Sequence, residues 1–421
     1  MRFRPRTAAG VSIALLLLAP HRDVTAEGAP QQADPRTAGW VFTPSLAVGG
    51  GWDDNVLLVN PQNNPPRDYA SPINPSATID FTGRRTQFSS SYNGSFTFYR
   101  RIEELTSFEH SLHASLRHRL TPRVSLFADE SFSRAPTTDA LELAGIPFYR
   151  VGSRTNAFGG GAEALLTRYT SLRARYALRT VGFDFDELAQ RELLGGHAQD
   201  LELSVSRGLS ARMTVRAQYG LLLGTVGQVA RNTNVTPDVA PAQPTAALTA
   251  DRQFNIQNGA ISATYRLSPH VNVSGGVGVA RLGGTLTQTA AIGPTFHGGA
   301  SWQAEHSLAS VAYQRSFIPS FGFGGTFQNE EWIASLHVPF ARNRAYADTN
   351  LAWFSNDPLI EDQPSLRSVR LSGRVGYRVT RWLSVEGYSA RAQQNSARAG
   401  GQLSRNQIGF QVVTSRPMRL Q

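Results

Sequence analysis

Arginine carries all of the basic chemistry of this chain. Its 41 basic residues include no lysine, and they face 31 acidic residues, for a formal net charge of +10. A GC-rich coding sequence accounts for the missing lysine but not for where the arginines fall. Arg117, Arg119, Arg173, Arg175, Arg179, Arg216, Arg370, Arg374 and Arg378 all occupy the polar phase of segments in which apolar and polar residues alternate. Guanidinium groups lining an enclosed passage would favour anionic solutes, as rings of arginine do in selective pores. Paired with Asp and Glu across that passage, they would instead brace its wall. Both readings stay open at this stage.

Other chemistry is sparse. Asp53, Asp54 and Asn55 form a short oxygen-rich cluster that could ligate a hard cation or hydrogen-bond sugar hydroxyls. The same three residue types also satisfy turn backbone by themselves, which is the more economical reading. Nine histidines occur, at His21, His110, His113, His118, His197, His270, His297, His306 and His337, without a HExxH pair. His113 and His118 are an odd number apart, so on a strand they face opposite sides. There is no GxSxG elbow; His110 or His337 could serve a lipid hydrolase only with a serine and an acid brought close. The runs at 159–161, 283–284 and 322–325 lack phosphate-loop context, and their glycines suit strand bending or close packing. The sequence therefore predicts no catalytic residues, no metal and no cofactor. Nucleic-acid binding is disfavoured because the arginines are dispersed over the chain and form no single stripe.

The elements that would position these residues read as long strands. From Phe88 to Phe98, aromatic residues fall on one phase and Ser89, Ser91, Asn93, Ser95 and Thr97 on the other. Leu172, Ala174, Tyr176 and Leu178 oppose Arg173, Arg175 and Arg179. Val215, Ala217, Tyr219 and Leu223 oppose Thr214, Arg216 and Gln218. Val369, Leu371, Val375 and Tyr377 oppose Arg370, Arg374 and Arg378. Period-two alternation gives a strand one oily and one polar face. A soluble sandwich has the same pattern, but its strands average about 5 or 6 residues, whereas a tilted membrane strand needs about 9 to 11. Aromatic pairs near the segment ends (Phe98 and Tyr99, Phe183 and Phe185, Trp353 and Phe354, with Trp382) resemble interfacial girdles.

The connections alternate in length. Short ones echo each other: Leu120-Thr-Pro-Arg-Val-Ser-Leu126, Leu209-Ser-Ala-Arg-Met-Thr-Val215, Leu267-Ser-Pro-His-Val-Asn-Val273 and Val379-Thr-Arg-Trp-Leu-Ser-Val385. Long polar segments separate them at 50–74, 135–152, 184–196 and 227–251. This grammar predicts an all-β, transmembrane antiparallel β-barrel of about 16–18 strands with short periplasmic turns and long extracellular loops. The division is hardest over 283–330. Segments 50–74 and 227–252 are long enough to fold inward as constrictions.

The N-terminus has Arg2, Arg4 and Arg6, an uncharged apolar run from Ala8 to Ala19, and Val24-Thr25-Ala26, the order of a secretory signal. The expected organisation is a signal peptide over 1–26, a short periplasmic segment over 27–39, a barrel over 40–416 and a tail over 417–421. Export through the Sec pathway would deliver such a chain to the outer membrane of a Gram-negative cell. Absence of cysteine removes disulfides and thiolate metal sites.

The segment Val41-Phe-Thr-Pro-Ser-Leu-Ala-Val48, followed by Gly51-Trp-Asp-Asp-Asn-Val56, is similar to the opening of the outer-membrane β-barrel porin family called type 2. That resemblance covers about the first 60 mature residues and implies a barrel in the outer membrane. Many members of the family are associated with exopolysaccharide or capsule gene clusters, but the family's transported solute is not set by it. The chain departs from common barrels at its end, where Ile408, Phe410 and Val412 share a face but no terminal aromatic follows. The functional expectation is a channel passing hydrophilic, anionic or saccharide solutes. The alternatives are a structural or binding protein acting through its long loops and, more remotely, a lipid-modifying enzyme. Expected partners are outer-membrane lipid and lipopolysaccharide, the barrel-assembly machinery and the solute itself.

Overall fold

The computed structural model describes residues 39–139, 144–184, 193–228, 252–284, 291–359, 364–396 and 401–420. The signal-peptide expectation lies outside them. Eighteen long strands follow one another in sequence: β1 (Gly39–Asp53), β2 (Asp68–Thr82), β3 (Thr86–Tyr99), β4 (Ser107–Arg119), β5 (Val124–Ala135), β6 (Ser153–Leu165), β7 (Thr170–Phe183), β8 (Gly195–Gly208) and β9 (Met213–Gln228). They continue with β10 (Arg252–Arg266), β11 (Val271–Gly284), β12 (Ala291–Gln303), β13 (Leu308–Ser320), β14 (Gly325–Phe340), β15 (Ala345–Pro358), β16 (Leu366–Arg378), β17 (Leu383–Ser396) and β18 (Gly401–Ser415). Each pairs antiparallel with its sequence neighbour, and β1 pairs with β18 over Ser45–Asp53, so the sheet closes on itself. Residues 417–421, expected as a tail, contribute β19 (Met418–Leu420), which extends the closure along Trp40–Phe42 of β1.

Closure leaves every strand with an inner and an outer face. The outer face carries the exposed apolar side chains, among them Leu46, Ile73, Phe96, Leu112, Phe158, Tyr176, Leu203, Tyr219, Ile261, Val277, Trp332, Leu371 and Phe410. An apolar surface running round the molecule, with strands of 12 to 16 residues, is that of a transmembrane barrel, where lipid leaves no backbone group unpaired. Among the described residues, no helix is long and apolar enough to cross a membrane.

The recurring hydroxyl of the short turns has a direct role. The side-chain oxygen of Thr121 accepts from the amides of Arg123 and Val124 at 3.2 and 3.0 Å. Ser210 does the same for Arg212 and Met213, and Ser268 for His270 and Val271. Each closes a two-strand turn by satisfying amides that the ladder cannot reach.

Three sequence expectations change. Segment 50–74 is strand at both ends, since β1 runs to Asp53 and β2 starts at Asp68, and the connection shortens to 54–67. Within 283–330, the described residues divide into the end of β11, β12, β13 and the start of β14. The aromatic girdle pairs split across the wall because successive strand residues point to opposite faces. Phe98 is 47% exposed outside while Tyr99 is buried inside, and Phe183 and Phe354 are likewise buried. Phe185 lies outside the described residues.

Candidate functional site: the inner wall and its inward loop

The phase opposite the apolar belt places all nine sequence-selected arginines on the inner face. Along β4–β9 they meet carboxylates. Arg117 Nη2 lies 2.9 Å from Glu163 Oε2, and Arg175 Nη2 lies 3.1 Å from Asp129 Oδ2. The Arg173 guanidinium stacks 4.3 Å from the Phe127 ring, and Arg216 Nε donates to Ser206 Oγ at 3.1 Å. Arg179 shares this face with Asp200 and Glu202 on the adjoining strand. Arg119 sits lower, exposed beside the short turn.

The opposite wall, β14–β18, repeats the arrangement. Buried Glu386 accepts from the Tyr346 hydroxyl and from Gln411 Nε2 at 2.8 Å, with Arg374 Nη1 at 3.7 Å. Arg378 lies 5.6 Å from the Tyr346 ring centre, and Arg370 lies 4.8 Å from Phe148 and 5.8 Å from Phe354. The inner face therefore presents guanidinium groups held in a lattice of carboxylates and aromatic rings. Six of these arginines lie on the β4–β9 wall, where Glu109, Asp129, Glu163, Asp200 and Glu202 share the inner phase, so the net positive excess among them is small. Glycines make room for inner aromatic rings: a Cβ on Gly161 would come within 2.7 Å of Phe127.

The aperture at the end of the long connections is occupied by the described residues of the β5–β6 connection, 136–139 and 144–152. The sequence marks this segment as a loop and 50–74 and 227–252 as the candidate constrictions; most of 227–252 lies outside the described residues. Its tip carries Ile146, Pro147, Phe148, Tyr149 and Val151, all buried. Ile146, Tyr149 and Val151 pack with Leu193, Leu194 and Phe321 from two other connections. They close over inner-wall residues Val181, Phe183, Ala198, Val226, Phe254, Ile256, Ala280 and Leu282. Leu194 and Gly322 exchange backbone hydrogen bonds of 3.1 and 2.7 Å, tying the β7–β8 connection to β13–β14 across the mouth.

The far side of the loop is held by polar groups. The Phe148 amide donates to Gln394 Oε1 at 2.8 Å, and Gln394 Nε2 donates to Ile146 O at 3.2 Å. Arg150 donates to the carbonyls of Val56 and Leu105 at 3.0 and 2.8 Å. Arg405 of β18 bridges two carboxylates: Nη1 to Asp139 Oδ2 at 2.8 Å, and Nε and Nη2 to Asp53 Oδ2 at 2.9 and 2.6 Å. Burial of the Asp139 carboxyl would raise its pKa, but the charges of Arg405 and Arg370 outweigh that and hold it below the usual range. A buried arginine between two carboxylates is thus the loop's electrostatic anchor.

The Asp53, Asp54 and Asn55 oxygens are committed to this anchorage. Asp53 also accepts from the Asn55 amide and from Gln407 Nε2. Asp54 accepts from the amide and side chain of Asn406, both at 2.6 Å. Asn55 bonds both backbone groups of Val59 and the Ser404 carbonyl. The trio fastens the β1–β2 connection to β18, as turn-forming residues do. Among the described residues no group of three His, Asp or Glu could hold a metal ion. His337 Nδ1 lies 2.6 Å from Asp348 Oδ1 on the inner wall, away from lipid, while His110 stacks outside on Phe108 with ring centres 5.0 Å apart.

No family model matches the chain, and no curated protein matches it. Among solved structures it is similar to Acinetobacter baumannii OccAB4, with 8% identity, a TM-score of 0.45, and 91% of this chain and 100% of that one covered. It is also similar to Pseudomonas aeruginosa OccK3 (OpdO), with 12% identity, a TM-score of 0.43, and 90% and 96% covered. The FrpB iron transporter of Neisseria meningitidis gives 10% identity and a TM-score of 0.43 over 85% of this chain and 62% of that one. All lie below a TM-score of 0.5, and each is a likeness in the outline of a large antiparallel barrel.

Proposed function

We propose that the chain is an outer-membrane channel for small or oligomeric hydrophilic solutes, with residues 136–152 forming the stopper or eyelet at its outer mouth. The observation that carries this reading is the contrast between the two faces: an apolar belt outside, and an inner wall of paired guanidinium, carboxylate, hydroxyl and aromatic groups. Such a wall costs stability in a merely structural barrel unless every group is satisfied, and it gives a hydrophilic solute a continuous set of partners. An even strand count puts both chain ends at the short-turn side, the periplasmic side of single-chain barrels. The long connections, stopper included, then face outward.

Because the inner arginines share the wall with carboxylates, three of the nine in direct ion pairs, the preference for anions is mild, and saccharides fit the wall as well as small anions do. An aromatic ring flanked by an arginine, such as Phe127 beside Arg173, suits sugar rings that stack while their hydroxyls bond to the neighbours. That fits the exopolysaccharide link of the family that β1 resembles. Lipopolysaccharide and the barrel-assembly machinery are its partners in this reading. The test is ion selectivity: the reversal potential in a salt gradient across a planar bilayer, with Arg175→Ser and Arg374→Ser as variants. A mild anion preference that falls in both variants supports the reading, and selectivity untouched by either removes the arginines from the pathway.

A further inference from the structure

Among the described residues, the pairing of β12 with β13 stops early. β12 and β13 are in register from Phe296 opposite Arg315 down to Gln303 opposite Leu308. Above that, residues 291–295 pair only with β11, and residues 316–320 only with β14. Two five-residue strand edges therefore face each other unjoined, while the strands on either side pair to their ends. Each edge contains a proline, Pro294 and Pro319, a residue that lacks the ladder donor and belongs at strand edges. Unpaired edges cost free energy in lipid, so such a gap has to be filled or used.

What fills it is Phe317. Its register with Gln328 would place it among the outward positions, but it is 8% exposed and belongs to the apolar cluster of the mouth. A Cβ on Gly293 would lie 2.7 Å from its ring, so the ring crosses the gap and rests where β12 has no side chain. Outside the gap, Ile292 and Phe296 are exposed apolar residues, with Val277 and Val279 next to them. Inside it lie Ala280, Leu282 and Phe321. The β12 side of this opening is apolar at both ends, while on the β13 side the Arg315–Glu330 pair, 3.6 Å apart, borders its lower outer edge. A hydrocarbon chain gains burial along the apolar side.

We propose that the β12–β13 seam is a lateral site for a single acyl chain, entering from the membrane side toward the apolar cluster under the stopper, with Phe317 as the side chain that yields. It is independent of channel function, since it opens through the wall and not along the axis.

The experiment uses the full barrel reconstituted in phosphatidylcholine vesicles. Hydrogen exchange reads the seam first: those amides of Ile292, Gly293, Thr295, Ser316, Phe317 and Ile318 that point at the facing edge, and not at β11 or β14, should exchange about tenfold or more faster than the seam-facing amides of 298–302 and 309–313. Equal protection would mean a closed ladder and would overturn the proposal. A fluorescent C12 fatty acid is the ligand probe. Phe317→Ala should tighten its binding several-fold, about tenfold at most, by opening space. The chain has no cysteine, so the pair Thr295→Cys and Ser316→Cys, which continues the register of Phe296 and Arg315, reports alone. Oxidation to the disulfide should abolish probe binding and reduction restore it. Probe binding that is the same in the oxidised and reduced protein would refute the site. Failure of the pair to oxidise, with both thiols free, would do so as well, since a seam poised between open and closed must allow that contact.

Discussion

Replacing Asp139 with Asn should loosen the stopper without disturbing the barrel. The substitution turns the 2.8 Å contact with Arg405 Nη1 into a neutral hydrogen bond, while Arg405 keeps both bonds to Asp53. Hydrogen bonds to a charged group contribute about 1.5–3 kcal/mol. A loss of that size raises the undocked fraction of the loop about 10- to 100-fold. Hydrogen exchange reads it at the amides of Thr138, Phe148 and Tyr149, which bond to Tyr149 O, Gln394 Oε1 and Thr138 Oγ1 in the docked loop. Those amides should speed up by that factor while amides of β3 and β4 stay as they were. Acid should mimic the variant. A carboxyl whose folded pKa lies below its ordinary value of 3.8 contributes in full above that value, and loses its contribution as pH falls through the lowered one. The wild-type loop should therefore loosen below about pH 4, and Asp139→Asn should lack that step. Unchanged exchange at Phe148 and Tyr149 in Asp139→Asn would refute the argument that Arg405 anchors the loop.

Other perturbations separate the parts of the account. Arg405→Gln strands Asp53 and Asp139 as buried carboxylates without their cation, a change that costs about 3–5 kcal/mol. Because Asp53 and Arg405 belong to β1 and β18, it should lower the unfolding temperature of the barrel as well as free the loop. Gln394→Ala leaves the Phe148 amide and the Ile146 carbonyl unpaired, about 1–3 kcal/mol each, and should expose the loop to limited proteolysis. Leu336→Arg on the outer face should destabilise the barrel by about 2–4 kcal/mol in urea unfolding from vesicles, while Ser335→Arg, one residue away on the inner face, should cost far less. Equal effects would contradict the assignment of faces.

The barrel was legible in the sequence because its two determinants are local. Period-two alternation in β3, β7, β9 and β16 and the hydroxyl of the short turns need only neighbouring residues, and they give a barrel of about 16–18 strands, with the Gly-rich stretch 283–330 the part where alternation is too weak to divide. The inner face of the arginines followed from the same alternation. Their pairing did not, because Arg117 and Glu163, or Arg374 and Glu386, meet only once register is set. The stopper was missed although it left a trace. In β10 the apolar phase inverts: Ile261 and Tyr265 point out, but higher up Phe254 and Ile256 point in while Gln253, Asn255 and Gln257 point out. Inversion marks the height at which the wall leaves lipid and meets something apolar inside. The run Ile146-Pro147-Phe148-Tyr149 in a nominally exposed loop is the matching piece. Polarity of the loops as a whole hid it.

The most direct test of the channel itself is single-channel conductance in planar bilayers of the folded protein beside a variant whose residues 140–150 are replaced by a short Gly-Ser linker. The account predicts small or intermittent steps for the intact chain and large, steady steps for the variant. A variant shown to be folded that conducts no more than bare lipid would contradict it, because the inner wall would then enclose no continuous path.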